Sequence, residues 1–492
     1  MADESYEQVG RSVVWSAANA GVLRLSQFLV GIAVARLISP HDFGVFVVAL
    51  TIFTVVMSIS DIGVNTALIR QPEHGDELGP TVATIAFGMS VLLGLVMALS
   101  APFLAHTLGA EQATTAIRVM ALTLPLAGMA AVPSALLTRD FLQKRRFLAD
   151  ATMFLVSSTV LIGLIAAGSS VMALAWSRVI GQLAMTIVLF AIAPRWYRPG
   201  FDRQIARRLM TFGLPMSGSS LVWFSVDNLD FMVIGRLRGA LSLGYYNLAY
   251  NISSWPVSVF RNIVNNVAVP TFARAQRSRT ELADHLTTAM AALAAVSLPV
   301  SALCLGVASP LVDAVYGHRW APAAPVLAIL VAFGSIRGFI ALMCDVLVAT
   351  GRTRLLFALQ IVWLVFLFPA MIVGVKTHDI QGAAWAHVAV SVIVLMPTYL
   401  VILQWRLSIP ATRMIGAVLP WLIGSAIAGT IARFVSGEFQ EPWIALILGS
   451  LCGLLAYLLA VGPFLLTLVR AVRRLYGRSQ PADPEPAVTV PA

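Results

Sequence analysis

Arg24, Arg261 and Arg337 each lie deep inside a long apolar run, where a guanidinium has no bulk water to solvate it. A charge at the centre of a bilayer costs at least about 2.5 to 3.5 kcal/mol, so such groups face a cavity, a partner or a ligand. The planar fork of donors on arginine matches phosphate oxygens, which makes these three residues a candidate cationic site for an anionic group. Asp61, Asp227 and Asp230 occupy comparable positions. They are candidates for ion coupling, as intramembrane acids in pumps are, or for pairing with arginine. Pairing of Arg24 with Asp227 or of Arg261 with Asp61 would only lock the helices together, and the sequence leaves both readings open. For Arg178 and Arg118 structural pairing or snorkelling is the favoured reading, and for His387, alone in an apolar stretch, hydrogen-bonded packing.

Other chemistry has little to stand on. There is no Walker A loop, no G-x-S-x-G and no H-E-x-x-H. The three cysteines, Cys304, Cys344 and Cys452, are far apart within apolar stretches and have neither metal-ligand nor disulfide spacing. The expectation is a carrier without cofactor, metal or catalytic group, and not an enzyme.

The elements that must position these charges follow from composition. Of 492 residues, 59% are hydrophobic and 11% charged, against about 25% charged in soluble domains, and the mean hydropathy is +0.85. Runs such as Val82 to Ala105 and Trp443 to Leu468 are almost continuously apolar, which excludes the alternating pattern of membrane strands and leaves helices. Spans are expected near 12–37, 42–68, 80–105, 114–137, 148–168, 170–193, 208–234, 242–270, 284–308, 322–346, 353–375, 380–403, 412–434 and 442–467. That is an all-α polytopic membrane protein of about fourteen transmembrane helices.

Basic residues cluster in alternate connections. One side holds Arg139, Lys144, Arg145 and Arg146, then Arg195, Arg198, Arg203, Arg207 and Arg208, then Arg274, Arg277 and Arg279, with more at Arg352, Arg354, Arg406, Arg413 and Arg470. The other side offers Arg36, Arg236, Arg238, Arg319, Lys376 and Arg433. The positive-inside rule then places both termini in the cytoplasm. This topology accounts for the net charge of +10 without nucleic acid, for which no binding motif is present. The acidic start, MADESYEQVGRS, lacks the features of a cleaved signal.

A shift of 200 residues aligns the first two expected helices with the seventh and eighth. Between Leu29 and Asn65 nine of 37 positions are identical, among them Arg36/Arg236, Leu37/Leu237, Gly44/Gly244 and Asn65/Asn265. The expected organisation is a cytoplasmic N-terminus (1–11), an N-lobe (12–193), a cytoplasmic linker (194–207), a C-lobe (208–403), an added helix pair (412–467) and a basic, then disordered, tail (470–492). Two pseudo-symmetric six-helix lobes of parallel orientation would surround a central cavity, the arrangement transporters use for alternating access.

Arg36-Leu-Ile-Ser-Pro-His-Asp-Phe-Gly44, Ser60-Asp-Ile-Gly63, Ala67-Leu-Ile-Arg-Gln71, Gly235-Arg-Leu-Arg-Gly239, Gly244-Tyr-Tyr-Asn-Leu-Ala249, Tyr316-Gly-His-Arg-Trp-Ala-Pro322 and Ala349-Thr-Gly-Arg352 follow one another along the chain. In these it resembles the polysaccharide branch of the multidrug, oligosaccharidyl-lipid and polysaccharide exporter superfamily, the Wzx-type flippases. The resemblance extends to about residue 470 and rests on order and spacing, since each motif alone is a helix start or tight turn. It implies translocation of a polyprenyl-diphosphate-linked oligosaccharide across the bacterial inner membrane for exopolysaccharide, capsule or lipopolysaccharide synthesis. The implied partners are that substrate, membrane lipids, a polysaccharide polymerase and export machinery. The diphosphate suits the arginines, while the family carries no invariant catalytic motif. A multidrug or metabolite cation antiporter of the same superfamily is the alternative, against which the added helix pair argues. A membrane glycosyltransferase or polymerase would need acidic metal ligands on a soluble region, or a long periplasmic loop.

Overall fold

A computed structural model describes residues 29–60, 75–140, 142–207, 228–275 and 279–477, with the single residues Ser26, Leu209 and Thr211. Among the described residues there is no strand, and ten helical stretches are long and apolar enough to cross a membrane. The protein is a polytopic all-α membrane protein. Helices are what an apolar chain must form there, because hydrocarbon offers backbone N–H and C=O groups no partner except each other. Expected spans 12–37 and 208–234 fall largely outside the described residues, and 242–270 is helical along its length.

The chain forms two compact units, Met1–Asn247 and Leu248–Ala492. The first contains α1 (Pro40–Ser60), α2 (Gly75–Thr107), α3 (Thr114–Ala121), α4 (Thr123–Arg139), α5 (Gln143–Ala166), α6 (Val171–Ile192) and the start of α7 (Leu229–Ala275). Helices α3 and α4 divide one expected span. Pro125 has no N–H for the carbonyl of Ala121, so the helix tightens at Leu122, whose N–H reaches Val119 at 3.1 Å. Gly94 of α2 leaves room for that carbonyl: a Cβ there would sit 3.2 Å from it.

Within α7 the chain reverses at Gly239, whose φ of 78° suits a residue without Cβ. Gly44 and Gly244, paired by the 200-residue shift, meet near this turn. A Cβ on Gly44 would strike the carbonyl of Ala240, and one on Gly244 would strike that of Pro40. Pro40 and Ala240 are also related by the shift, so the contact is reciprocal, as a local twofold requires. Gly109 approaches the carbonyl of Gly235, and Arg236 Nη1 donates to the carbonyl of His106 at 3.4 Å. These contacts hold the start of α7 in the first unit.

The second unit contains the rest of α7, then α8 (Arg279–Gly306), α9 (Ala308–Val315), α10 (Ala323–Ala349), α11 (Thr353–Val390), a π-turn (Ser391–Leu395), α12 (Met396–Leu407), α13 (Ala411–Gly437) and α14 (Pro442–Gly477). The stretch Arg354–Leu407 has 54 residues, about 80 Å if straight, more than twice the ~30 Å of a hydrocarbon core. It folds back at His378 and Asp379, the latter at φ 54°. Gly374 and Gly382 flank this turn, and a Cβ on either would enter the backbone of the other.

Helices α8, α13 and α14 pack together through small residues. A Cβ on Gly306 would lie 2.6 Å from the carbonyl of Gly429, and one on Gly453 would lie 2.8 Å from that of Ala428. Without a hydrophobic drive between helices in lipid, such close backbone approach is how they gain contact. The Tyr316–Pro322 motif is a packed turn: Trp320 is fully buried, Gly317 has φ 95°, and burial pushes the Tyr316 phenol up.

Candidate functional site

Of the six charged residues singled out by sequence, Arg337 and Asp230 have described side chains. Arg24, Asp61 and Asp227 lie outside the described residues, and Arg261 is on α7 with its side chain outside them.

Arg337 is half-buried midway along α10. Its neighbours follow from helical geometry. Ser335, two residues earlier and therefore about 200° away around the helix, faces α8. There the Ser335 and Ser301 hydroxyls lie 2.8 Å apart, Ser301 donates to the carbonyl of Val331 at 3.0 Å, and Ser335 donates to that of Ser297 at 3.2 Å. This ladder fixes the rotation of α10 and turns Arg337 away from α8. The guanidinium meets α7 instead, where Nη1 donates to Tyr250 Oη at 3.3 Å. One turn before Arg337 on the same stripe, Phe333 stacks on His387 with ring centroids 4.7 Å apart. His387 is thus a buried packing group against an aromatic ring.

A guanidinium carries five N–H donors. The Tyr250 hydroxyl accepts from one of them, which helps to orient the half-buried group. Asp345 lies about two turns further along α10 and is also half-buried.

Asp230 sits in the other unit and is 1% exposed. Its Oδ2 accepts from Tyr246 Oη at 2.9 Å and its Oδ1 accepts from the Phe231 N–H at 2.9 Å. Phe231 and Tyr246 pack edge to face at 5.8 Å. These contacts bridge the two arms of α7 across the Gly239 reversal, so the carboxylate has a structural task. Arg178 of α6 lies over the ring of Phe53 of α1, 5.9 Å from its centroid, and Arg118 is exposed on α3.

Sequence reasoning passed over Tyr250 and Tyr246. A signal existed: in Tyr245-Tyr-Asn-Leu-Ala-Tyr-Asn251 the pairs Tyr246/Tyr250 and Asn247/Asn251 recur at four-residue spacing, which puts a polar stripe on a membrane helix. Among the described residues no group of three His, Cys, Asp or Glu is placed to hold a metal, and the three cysteines are free thiols.

The fold and these half-buried polar groups define a multi-pass membrane protein. Residues 33–325 match the family of polysaccharide biosynthesis proteins, and the chain belongs to that family. It is 27% identical over 342 residues to the teichuronic acid biosynthesis protein TuaB of Bacillus subtilis, covering 68% of this chain and 70% of that one. It is 26% identical over 399 residues to the lipopolysaccharide biosynthesis protein WzxC of Escherichia coli, covering 79% and 80% respectively. Among solved structures it is similar to the lipid II flippase MurJ in an inward closed conformation, with a TM-score of 0.73 at 13% identity over 93% of this chain and 100% of that one. At that identity the likeness is one of fold.

Proposed function

We propose that this protein translocates a polyprenyl-diphosphate-linked oligosaccharide from the cytoplasmic to the periplasmic leaflet of the bacterial inner membrane, by alternating access, for synthesis of a surface polysaccharide. The observation that carries the reading is Arg337: a guanidinium kept half-buried midway along a membrane helix, oriented by the Tyr250 hydroxyl at 3.3 Å. Family membership and the two polysaccharide-synthesis relatives support the substrate class. In this reading Arg24, Arg261 and Arg337 receive the diphosphate as it crosses. Asp61 and Asp227 serve ion coupling or rest the arginines between cycles, whereas Asp230, held by Tyr246, serves packing. The lobes are residues 12–193 and 208–403, the added pair is 412–467, and both termini are cytoplasmic. No bond of the substrate is made or broken, so the protein acts as a carrier, beside a separate polymerase and export machinery.

The test is complementation of a deletion strain with Arg24→Ala and Arg337→Ala. Each variant is expected to stay in the membrane at wild-type level, to stop polymer export and to accumulate lipid-linked repeat units. Normal export from both variants would remove the cationic site from the account.

A further inference from the structure

The connection after α6 is a built surface and not a slack loop. The start of α2 packs against the end of α4 through Leu78, Val132 and Leu136, and the start of α5 meets the end of α6 where Arg145 reaches the Ile192 carbonyl, so these four ends lie at one end of the first unit. Across them runs the segment 194–207. Thr84 Oγ1 donates to the carbonyl of Gly200 at 2.8 Å, the Gly200 N–H reaches the carbonyl of Pro80 at 3.4 Å, and the Asp202 N–H reaches Thr81 Oγ1 at 3.1 Å. The Tyr197 ring fills the space over Gly79, and Ala206 and Leu209 are buried against Leu78 and Val82. One face of the segment is therefore docked on α2.

The opposite face has another composition. Trp196 and Phe201 are 71% and 67% exposed, and Arg198, Arg203 and Arg207 are exposed beside them. Lys144 and Arg145 add charge from the start of α5, where Arg145 also donates to the last carbonyl of α6 at 3.2 Å. Among the described side chains, Asp140 pairs with Arg139 at 2.9 Å, and Asp202 Oδ1 accepts from the N–H groups of Gln204 and Ile205. Exposed aromatics next to exposed arginines, level with the ends of four membrane helices, fit the headgroup layer of a bilayer, where aromatic rings settle and anionic lipids attract basic side chains.

We propose that segment 194–207 is a membrane-surface strap that binds anionic phospholipid headgroups through Arg198, Arg203 and Arg207, with Trp196 and Phe201 set into the interfacial layer. Its hydrogen bonds to Thr81 and Thr84 tie the end of α2 to that surface. The inference does not depend on what the protein transports.

The experiment uses the full chain in nanodiscs of phosphatidylcholine alone or with one quarter phosphatidylglycerol. The anionic lipid is expected to raise the unfolding midpoint by roughly 3 °C, and R198Q/R203Q/R207Q is expected to lose that increment while unfolding as the wild type does in phosphatidylcholine. Soluble glycerol phosphate added to phosphatidylcholine discs should give no increment. Replacing Trp196 with Phe should reduce the fluorescence quenched by lipids brominated near the headgroup. An increment that survives in the triple variant, or that glycerol phosphate reproduces, or quenching unchanged by Trp196→Phe, would overturn the proposal.

Discussion

Arg337 and Tyr250 show how a charge in a membrane helix is oriented. A guanidinium on a long side chain would search many rotamers, and the phenol hydroxyl at 3.3 Å restricts that search. Tyr250→Phe should therefore leave membrane levels unchanged and lower polymer export several-fold, read in the same complementation assay. Loss of the protein from the membrane would instead assign Tyr250 to folding. Asp230 makes the opposite case. Its carboxylate is buried and receives the Tyr246 hydroxyl, so Tyr246→Phe should cost about 1 to 3 kcal/mol of stability, measured by thermal unfolding in detergent. A Tyr246→Phe, Asp230→Asn double variant should be less destabilised than the two single losses added together. Charged residues in apolar runs were legible in the sequence because they break its composition. Their tyrosine partners were not, because a tyrosine in a membrane helix looks like any other large side chain until a neighbouring helix is placed against it.

At the level of elements, the apolar runs predicted every helix they could. Each expected span within the described residues is helical, and the break between 375 and 380 appears as the reversal at His378 and Asp379. Hydropathy measures burial in lipid and is blind to backbone contact, so it did not report the split at Leu122, the π-turn at Ser391–Leu395 or the crossing of Gly44 with Gly244. The glycines differ accordingly. Gly44→Ala puts a methyl group into the carbonyl of Ala240 and should cost about 1 to 3 kcal/mol in thermal unfolding. Gly88 of α2 has nothing within 4 Å of a built Cβ, so Gly88→Ala should be neutral or stabilising by up to about 1 kcal/mol. Equal effects at the two positions would contradict the crossing.

For the whole molecule, the distribution of positive charge bears on orientation. In the first unit, Arg139, Lys144, Arg145, Arg146, Arg198, Arg203 and Arg207 sit at one end of the helices, and Arg36, Arg236 and Arg238 near the other. With the three native cysteines replaced by serine, Glu111→Cys should react with a membrane-impermeant maleimide in cells whose outer membrane is permeabilised. Lys144→Cys should react only after the inner membrane is broken, and the reverse pattern would invert the proposed topology. The 200-residue shift pairs Gly44 with Gly244, and these two glycines touch within the first unit. The candidate site was legible only in part, since a site assembled from several helices depends on how each is rotated, which apolar composition does not encode.

The most direct test of the central claim is binding of a polyprenyl diphosphate to the purified full chain, comparing wild type with Arg337→Gln and Arg337→Lys. Loss of one charge-assisted contact of about 2 kcal/mol predicts affinity about thirtyfold weaker for the glutamine variant, with lysine intermediate because it keeps the charge and loses the fork. Affinity equal to wild type in both variants would contradict it.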